Sequence, residues 1–126
     1  MPFRLEDDPA RRLVRVTFEG RYDKPEIEAM VGAARAASAK SGWNILYDMR
    51  AATPGAVGPA DVFWMPRKHP ALQGAAASSV RVATVHDGKQ AEIATFWETS
   101  FRNAGLRARA FTDEAKALAW LAIDEP

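Results

Sequence analysis

The sequence contains no cysteine among its 126 residues. This absence excludes a disulfide framework, a thiolate zinc site, an iron–sulfur cluster and a cysteine nucleophile. The chain also has little net charge, because 17 Lys and Arg residues stand against 16 Asp and Glu residues. A formal charge of +1 argues against a nucleic-acid partner, since proteins that bind nucleic acid through bulk charge carry a clear basic excess.

Long hydrophobic runs are absent as well. No apolar run approaches the roughly 18 residues of a membrane span, so we expect no transmembrane segment. The first eight residues, MPFRLEDD, are too charged for a secretory signal, and we therefore expect a cytoplasmic protein. The length fits one domain over residues 1–126, which can bury a core without a metal or cofactor as a staple.

What is present is a series of alternating and helical apolar patterns. Val14, Val16 and Phe18 share one face, which predicts a strand over residues 13–18 that ends before Gly20. A short strand at residues 3–5 precedes it, and the turn-forming sequence between the two predicts a hairpin. Further apolar runs predict strands over residues 43–48, 80–85 and 106–111.

Helix signals lie between these strands. Asp23 and Glu26 have the spacing of a capping box and predict the start of a helix over residues 24–40. Gly105 predicts the end of a second helix of about four turns, at about 3.6 residues per turn. Thr112 is the predicted N-cap of a final helix. The second helix carries an aromatic stripe that we expect in the core, formed by Phe96, Trp97 and Phe101.

Strands that alternate with helices indicate an α/β fold. We expect a single mixed five-stranded sheet with an N-terminal hairpin and helices on both faces. Residues 51–58 are rich in proline, glycine and alanine and predict a loop after the central strand.

The tail FTDEAKALAWL, residues 111–121, resembles the closing motif of the SpoIIAA-like proteins. This family is related to STAS domains and is compared in fold with Sec14-type lipid carriers. Three further segments are similar to its central strand ending in Asp, its next strand and its aromatic helix: ILYDMR at 45–50, VRVATV at 80–85 and residues 96–101.

The resemblance implies a STAS-like fold and a non-catalytic binding or regulatory module that acts through protein–protein contacts. The partners that it implies are a second copy of the chain, in a homodimer, and a regulatory protein. The Sec14 comparison implies the alternative of a carrier or sensor for a small apolar or amphipathic, lipid-like ligand.

One departure from the related STAS-type antagonists of anti-sigma factors concerns phosphorylation. Those proteins use a phosphorylated serine at a helix N-terminus just after the central strand, where helix N–H groups meet the phosphate. Here residues 48–55 read DMRAATPG, in which Thr53 before Pro54 is the only hydroxyl. We expect no phosphosite.

Polar side chains follow the carboxyl ends of two predicted strands, where open parallel sheets bind ligands. Asp48 and His86 would form the start of a general-base arrangement if their strands were neighbours. The alternative is that Asp48 pairs with Arg50 while His86 is an exposed strand-end residue. Because no nucleophile accompanies the pair, we expect no enzyme, and two histidines without paired spacing predict no metal site.

An apolar cluster lies in a segment bounded by prolines, residues 59–70. Phe63, Trp64 and Met65 cannot all point inward from so short a helix. Two hypotheses remain open: the segment packs on the core, or it forms a lid over an apolar pocket or a self-association patch.

Overall fold

Hydrogen-bonded strands and helices follow the order that the apolar patterns predict. The computed structural model describes residues 3–58, 60, 80–89, 91–103 and 105–122. The five strands are β1 (Phe3–Asp8), β2 (Leu13–Tyr22), β3 (Asn44–Pro54), β4 (Arg81–Val85) and β5 (Arg107–Phe111). The helices in the described residues are α1 (Lys24–Ser41), α2 (Ala91–Asn103) and α3 (Glu114–Leu121).

The strands form one mixed sheet in the order β1-β2-β3-β4-β5. Strand β1 is antiparallel to β2, and the remaining neighbours are parallel. This confirms the predicted five-stranded sheet with a hairpin at one edge. None of the helices in the described ranges is long and apolar enough to cross a membrane.

Both faces of the sheet are covered by helices, as predicted. Helices α1 and α2 each connect a strand to the next strand in the same direction across the sheet, so right-handed crossovers place them on one face. Strand alternation sends Val16, Tyr47 and Val82 into the core beneath them. The opposite face packs residues such as Leu46 and Ala83 against α3.

The first helix begins and ends as the sequence predicts. The Glu26 carboxylate accepts a hydrogen bond from the backbone N–H of Asp23 at 3.0 Å. At the other end, Gly42 adopts a φ of 76°, a left-handed conformation that glycine enters without steric cost.

The predicted cap of the last helix is wrong by one residue. Strand β5 runs to Phe111, and Thr112 forms the bend that follows, so Asp113 occupies the N-cap position of α3. Its carboxylate accepts hydrogen bonds from the N–H groups of Ala115 at 2.8 Å and Lys116 at 3.4 Å.

The predicted loop at 51–58 is also wrong in its first half, because β3 continues to Pro54. Strand β2 likewise passes through Gly20, and the two strands stay paired up to Tyr22 and Pro54. A shift in register between Thr17 and Glu19 allows this extension, and Gly20 takes a φ of 89° just beyond it. The extra pairing outweighs the weak strand propensity of these residues.

The cap assignment predicts the effect of two neighbouring substitutions. Asp113→Ala leaves two N–H groups of α3 without their acceptor and should lower the free energy of unfolding by about 1 kcal/mol. Thr112→Ala, the matched control, should change it by less than about 0.5 kcal/mol. Urea denaturation measures both values, and a larger loss for Thr112→Ala would contradict the assignment.

Candidate functional site

The Asp48 carboxylate lies on the α3 face of the central strand and is paired with Arg50. Residues two apart on a strand share a face, so the two side chains meet. The Arg50 guanidinium donates from Nε to Oδ1 at 2.9 Å and from Nη2 to Oδ2 at 2.7 Å. Only 13% of the Asp48 side chain is exposed. The sequence left open whether Asp48 meets His86 or pairs with Arg50, and the structure shows the ion pair with Arg50.

Two further charged residues complete what we call the Asp48 cluster: Arg15, Asp48, Arg50 and Glu114. The Glu114 carboxylate, in the first turn of α3, forms an ion pair with Arg15 of β2 and lies 3.4 Å from Arg50 Nη2. The hydrogen bond from Arg50 is the main cause that lowers the pKa of Asp48, and the same bond raises the pKa of Arg50. Each charge in the cluster therefore faces an opposite charge.

His86 does not join Asp48. The register pairs Asp48 with Val85, and His86 comes one residue later, so alternation directs it away from the α3 face. The Nδ1 atom of its ring accepts a hydrogen bond from the Gly88 N–H at 3.1 Å. The backbone N–H of His86 donates to the backbone carbonyl of Phe111 at 2.9 Å. The prediction that His86 is exposed is wrong: its side chain is buried and is tied to the following turn by the hydrogen bond from Gly88.

The apolar cluster Phe63, Trp64 and Met65 lies outside the described residues, as does all of 59–70 except Ala60. The hypotheses of a lid, a self-association patch or a core segment stay predictions. The structure does describe Thr53, which is exposed within β3 and pairs in register with Arg21 of β2. It therefore lies in a strand and not at a helix N-terminus.

The opposite face of the sheet carries an apolar slot between α1 and α2. Its volume is about 30 Å³, and it is partly open to solvent. Helix α1 and helix α2 form its walls, and strands β3 and β4 form its floor. The lining residues are Ile27, Met30, Val31, Tyr47, Met49, Thr84, Trp97 and Phe101. We call this feature the α1–α2 slot.

The floor of the α1–α2 slot contains a buried hydroxyl. Tyr47 is 3% exposed, and its hydroxyl has no hydrogen-bond partner among the described residues. Burial raises the pKa of Tyr47 well above its ordinary value, although the charge of Arg35 opposes this effect. The hydroxyl is thus a neutral donor at physiological pH. By contrast, the hydroxyl of the buried Tyr22 is not among the buried polar atoms that lack a partner.

The aromatic stripe of α2 is only partly core. Trp97 and Phe101 are four residues apart, share one helix face and contact each other edge to face, with ring centroids 5.6 Å apart. Phe96 is 40% exposed, so its predicted burial is wrong. Consecutive residues on a helix differ by about 100° in direction, which turns Phe96 away when Trp97 faces the slot.

Sequence reasoning missed the α1–α2 slot, although a signal for it exists. Tyr47 and Met49 alternate on one face of β3, and Thr84 interrupts the apolar pattern of β4 on that same face. Their meeting depends on the register, which pairs Tyr47 with Thr84.

Across the described ranges, no three His, Asp or Glu side chains are grouped as metal ligands would be.

Comparisons with known proteins agree with this geometry. The family model described as SpoIIAA-like matches residues 13–122. The chain is also similar to a crystal structure of an uncharacterized protein from the DUF3478 family with a SpoIIAA-like fold, from Shewanella loihica PV-4. The two sequences are 19% identical, the match covers 94% of this chain and 93% of that chain, and the TM-score is 0.62. No curated protein matches the sequence.

The Asp48 cluster predicts a pH-dependent contribution to stability. The lowered pKa of Asp48 means that the folded protein binds fewer protons than the unfolded chain near pH 4. The ion pair therefore stabilises fully above the unfolded pKa of about 3.9 and progressively less below it. Asp48→Asn should lower the free energy of unfolding at neutral pH by roughly 1–2 kcal/mol.

Chemical denaturation across pH measures this contribution. The difference between wild type and Asp48→Asn should shrink as the pH falls below about 4. Asp7→Asn is the matched control, since Asp7 is an exposed carboxylate of β1. A difference that stays constant down to about pH 2 would show that the ion pair contributes nothing net.

Proposed function

The chain belongs to the SpoIIAA-like family, and on that premise we propose that it is a non-catalytic binding module with a regulatory role. Its contact point is the α1–α2 slot, which receives an apolar side chain of a protein partner. The observation that carries this proposal is the partly open, apolar slot between α1 and α2. A slot of about 30 Å³ that is open to solvent can hold one water molecule, and a methyl-sized group of a partner side chain can take its place.

The size of the slot supports a side chain over a whole small molecule. Sites for drug-sized ligands enclose roughly 300–1,000 Å³. The α1–α2 slot, at about 30 Å³, has room for one or two small groups. Anchoring side chains at protein interfaces fill pockets of this kind.

The Asp48 cluster supports a role without catalysis. General acids and bases need a free position that substrate can reach. In the described residues, Asp48 is held by both arms of Arg50, and Glu114 is held by Arg15. The Nδ1 atom of His86 already accepts a hydrogen bond from Gly88. Each of these groups therefore has a partner within the protein, which supports a stabilising role and not a catalytic one.

The Tyr47 hydroxyl favours a second candidate function, the binding of a small apolar or amphipathic ligand. A buried hydroxyl without a partner forfeits a hydrogen bond that it had in water. A ligand whose alkyl end enters the slot and whose oxygen accepts from Tyr47 would restore that bond. This second function is the carrier or sensor role that the Sec14 comparison implies.

A single methyl group added to the slot tests both functions. Thr84→Ile keeps the shape of Thr84→Val and adds one methyl group, which fills the slot. We expect Thr84→Ile to lose its occupant while Thr84→Val, the matched control, retains it. Quantitative affinity purification from the native host detects a protein occupant, and native mass spectrometry detects a small molecule. The same set of bound species in both variants would refute the slot as the contact point.

The unpartnered Tyr47 hydroxyl leads to a separate prediction about stability. Tyr47→Phe removes an unpartnered buried polar group without changing the shape of the ring, so the ligand-free protein should become more stable by about 1 kcal/mol. Thermal unfolding measures this change. Tyr22→Phe is the control, because Tyr22 is also buried but its hydroxyl is not a buried atom without a partner, so this substitution should bring no gain in stability. A loss of stability in Tyr47→Phe would show that the hydroxyl already has a partner.

A further inference from the structure

The two edge strands of the sheet differ: side chains of α2 bond to the backbone of β5, whereas none does so at β1 in the described residues. Along β5, the Glu98 carboxylate accepts from the Ala110 N–H, and Arg102 Nε donates to the Ala108 carbonyl at 2.7 Å. Side chains of α2 thus occupy backbone groups of β5 that do not pair with β4. An edge covered in this way cannot accept another strand.

The outer edge of β1 has no such cover. Its backbone pairs with β2 over all six residues, and no described side chain bonds to the backbone of Phe3–Asp7 from the other side. Four of the six residues are exposed, Leu5 among them at 38%. Folded proteins protect an edge strand by covering it or by charging it, because its unpaired N–H and C=O groups are a template for another strand. Strand β1 carries Arg4, Glu6, Asp7 and Asp8, so another strand can pair here only in a register that sets opposite charges against each other.

The sequence of β1 is complementary to itself in one antiparallel register. If two copies of FRLEDD pair about a two-fold axis through Leu5, Arg4 of each copy lies opposite Glu6 of the other. The two Leu5 side chains then meet at the axis. A centre at Glu6 or Arg4 would instead place like charges opposite each other, which destabilises a strand pair.

We propose that β1 joins a second copy of this chain, edge to edge and antiparallel about Leu5, to form a dimer with a continuous ten-stranded sheet. The assembly closes at two copies, because a two-fold contact uses the same patch on both and α2 covers the β5 edges. The inference is independent of the α1–α2 slot, which lies away from this edge between α1 and α2. The dimer can therefore be present whether or not the slot binds a partner.

Cross-linking tests the contact directly, since the chain has no cysteine of its own. Leu5→Cys should form a disulfide-linked dimer under mild oxidation, because the two positions face each other across the axis. Phe96→Cys is the matched control, with 40% exposure on α2 against 38% for Leu5. Equal or greater cross-linking of Phe96→Cys on a non-reducing gel would overturn the proposal.

Charge reversal tests the register. Arg4→Glu or Glu6→Arg alone sets like charges opposite each other twice per dimer and should raise the dissociation constant by roughly tenfold or more. The double variant Arg4→Glu/Glu6→Arg exchanges the charges across the axis and should restore dimerisation. Within each copy Arg4 also forms an ion pair with Glu19 at 3.8 Å and Glu6 lies opposite Arg15, so the thermal unfolding of each variant is measured beside its association. Sedimentation velocity over a concentration series reads out each state, and circular dichroism confirms folding.

Two outcomes would overturn this assignment. A wild-type protein that stays monomeric across the series excludes the dimer, and any strand recruited at β1 then belongs to another protein. A double variant that associates as weakly as the single variants excludes this register. Neither outcome affects the result for Thr84→Ile, so failure of the dimer and failure of the slot remain distinguishable.

Discussion

The side chains of the central strand, β3, point alternately to the two faces of the sheet, and the rest of the structure depends on this constraint. Strand β3 has a neighbour on each side and helices over both faces, so each of its residues is committed to one of two environments. Tyr47 and Met49 face α1 and α2, whereas Leu46 and Asp48 face α3. A shift of one residue in register would exchange these sets and bury the charged residues under the wrong helices.

This division separates two kinds of chemistry. The α3 face holds opposite charges that satisfy one another, and the helix dipole adds to this because Glu114 lies in the first turn of α3. The α1–α2 face holds aromatic and aliphatic groups around a slot in which the buried Tyr47 hydroxyl has no partner within the described part of the chain. Paired charges favour stability, and the open apolar slot is where we propose that a partner binds. The two faces of β3 thus differ in their chemistry.

The two edge strands of the sheet, β1 and β5, also differ in their surroundings. A sheet of five strands in sequential order has two edges, and each must be covered, charged or paired. At β5 the cover comes from Glu98 and Arg102 of the preceding helix, which is possible because α2 packs beside the strand that it introduces. Strand β1 enters by a hairpin and has no crossover helix of its own.

Local patterns in the sequence determined the identity and order of the elements, since alternation, capping residues and turn residues act within a few positions. The Asp23–Glu26 capping box, Gly42 and the strand at Arg81–Val85 follow from such short-range chemistry. The closing motif and three further segments together indicated the family, and the alternation of strands and helices after the hairpin predicted the mixed sheet. Only the tertiary structure decided the strand order, the extension of β3 to Pro54 and the burial of His86. These depend on contacts between residues far apart in the chain. The α1–α2 slot depends on such contacts as well: Tyr47 and Thr84 stand out locally, but only the register of β3 and β4 brings them together.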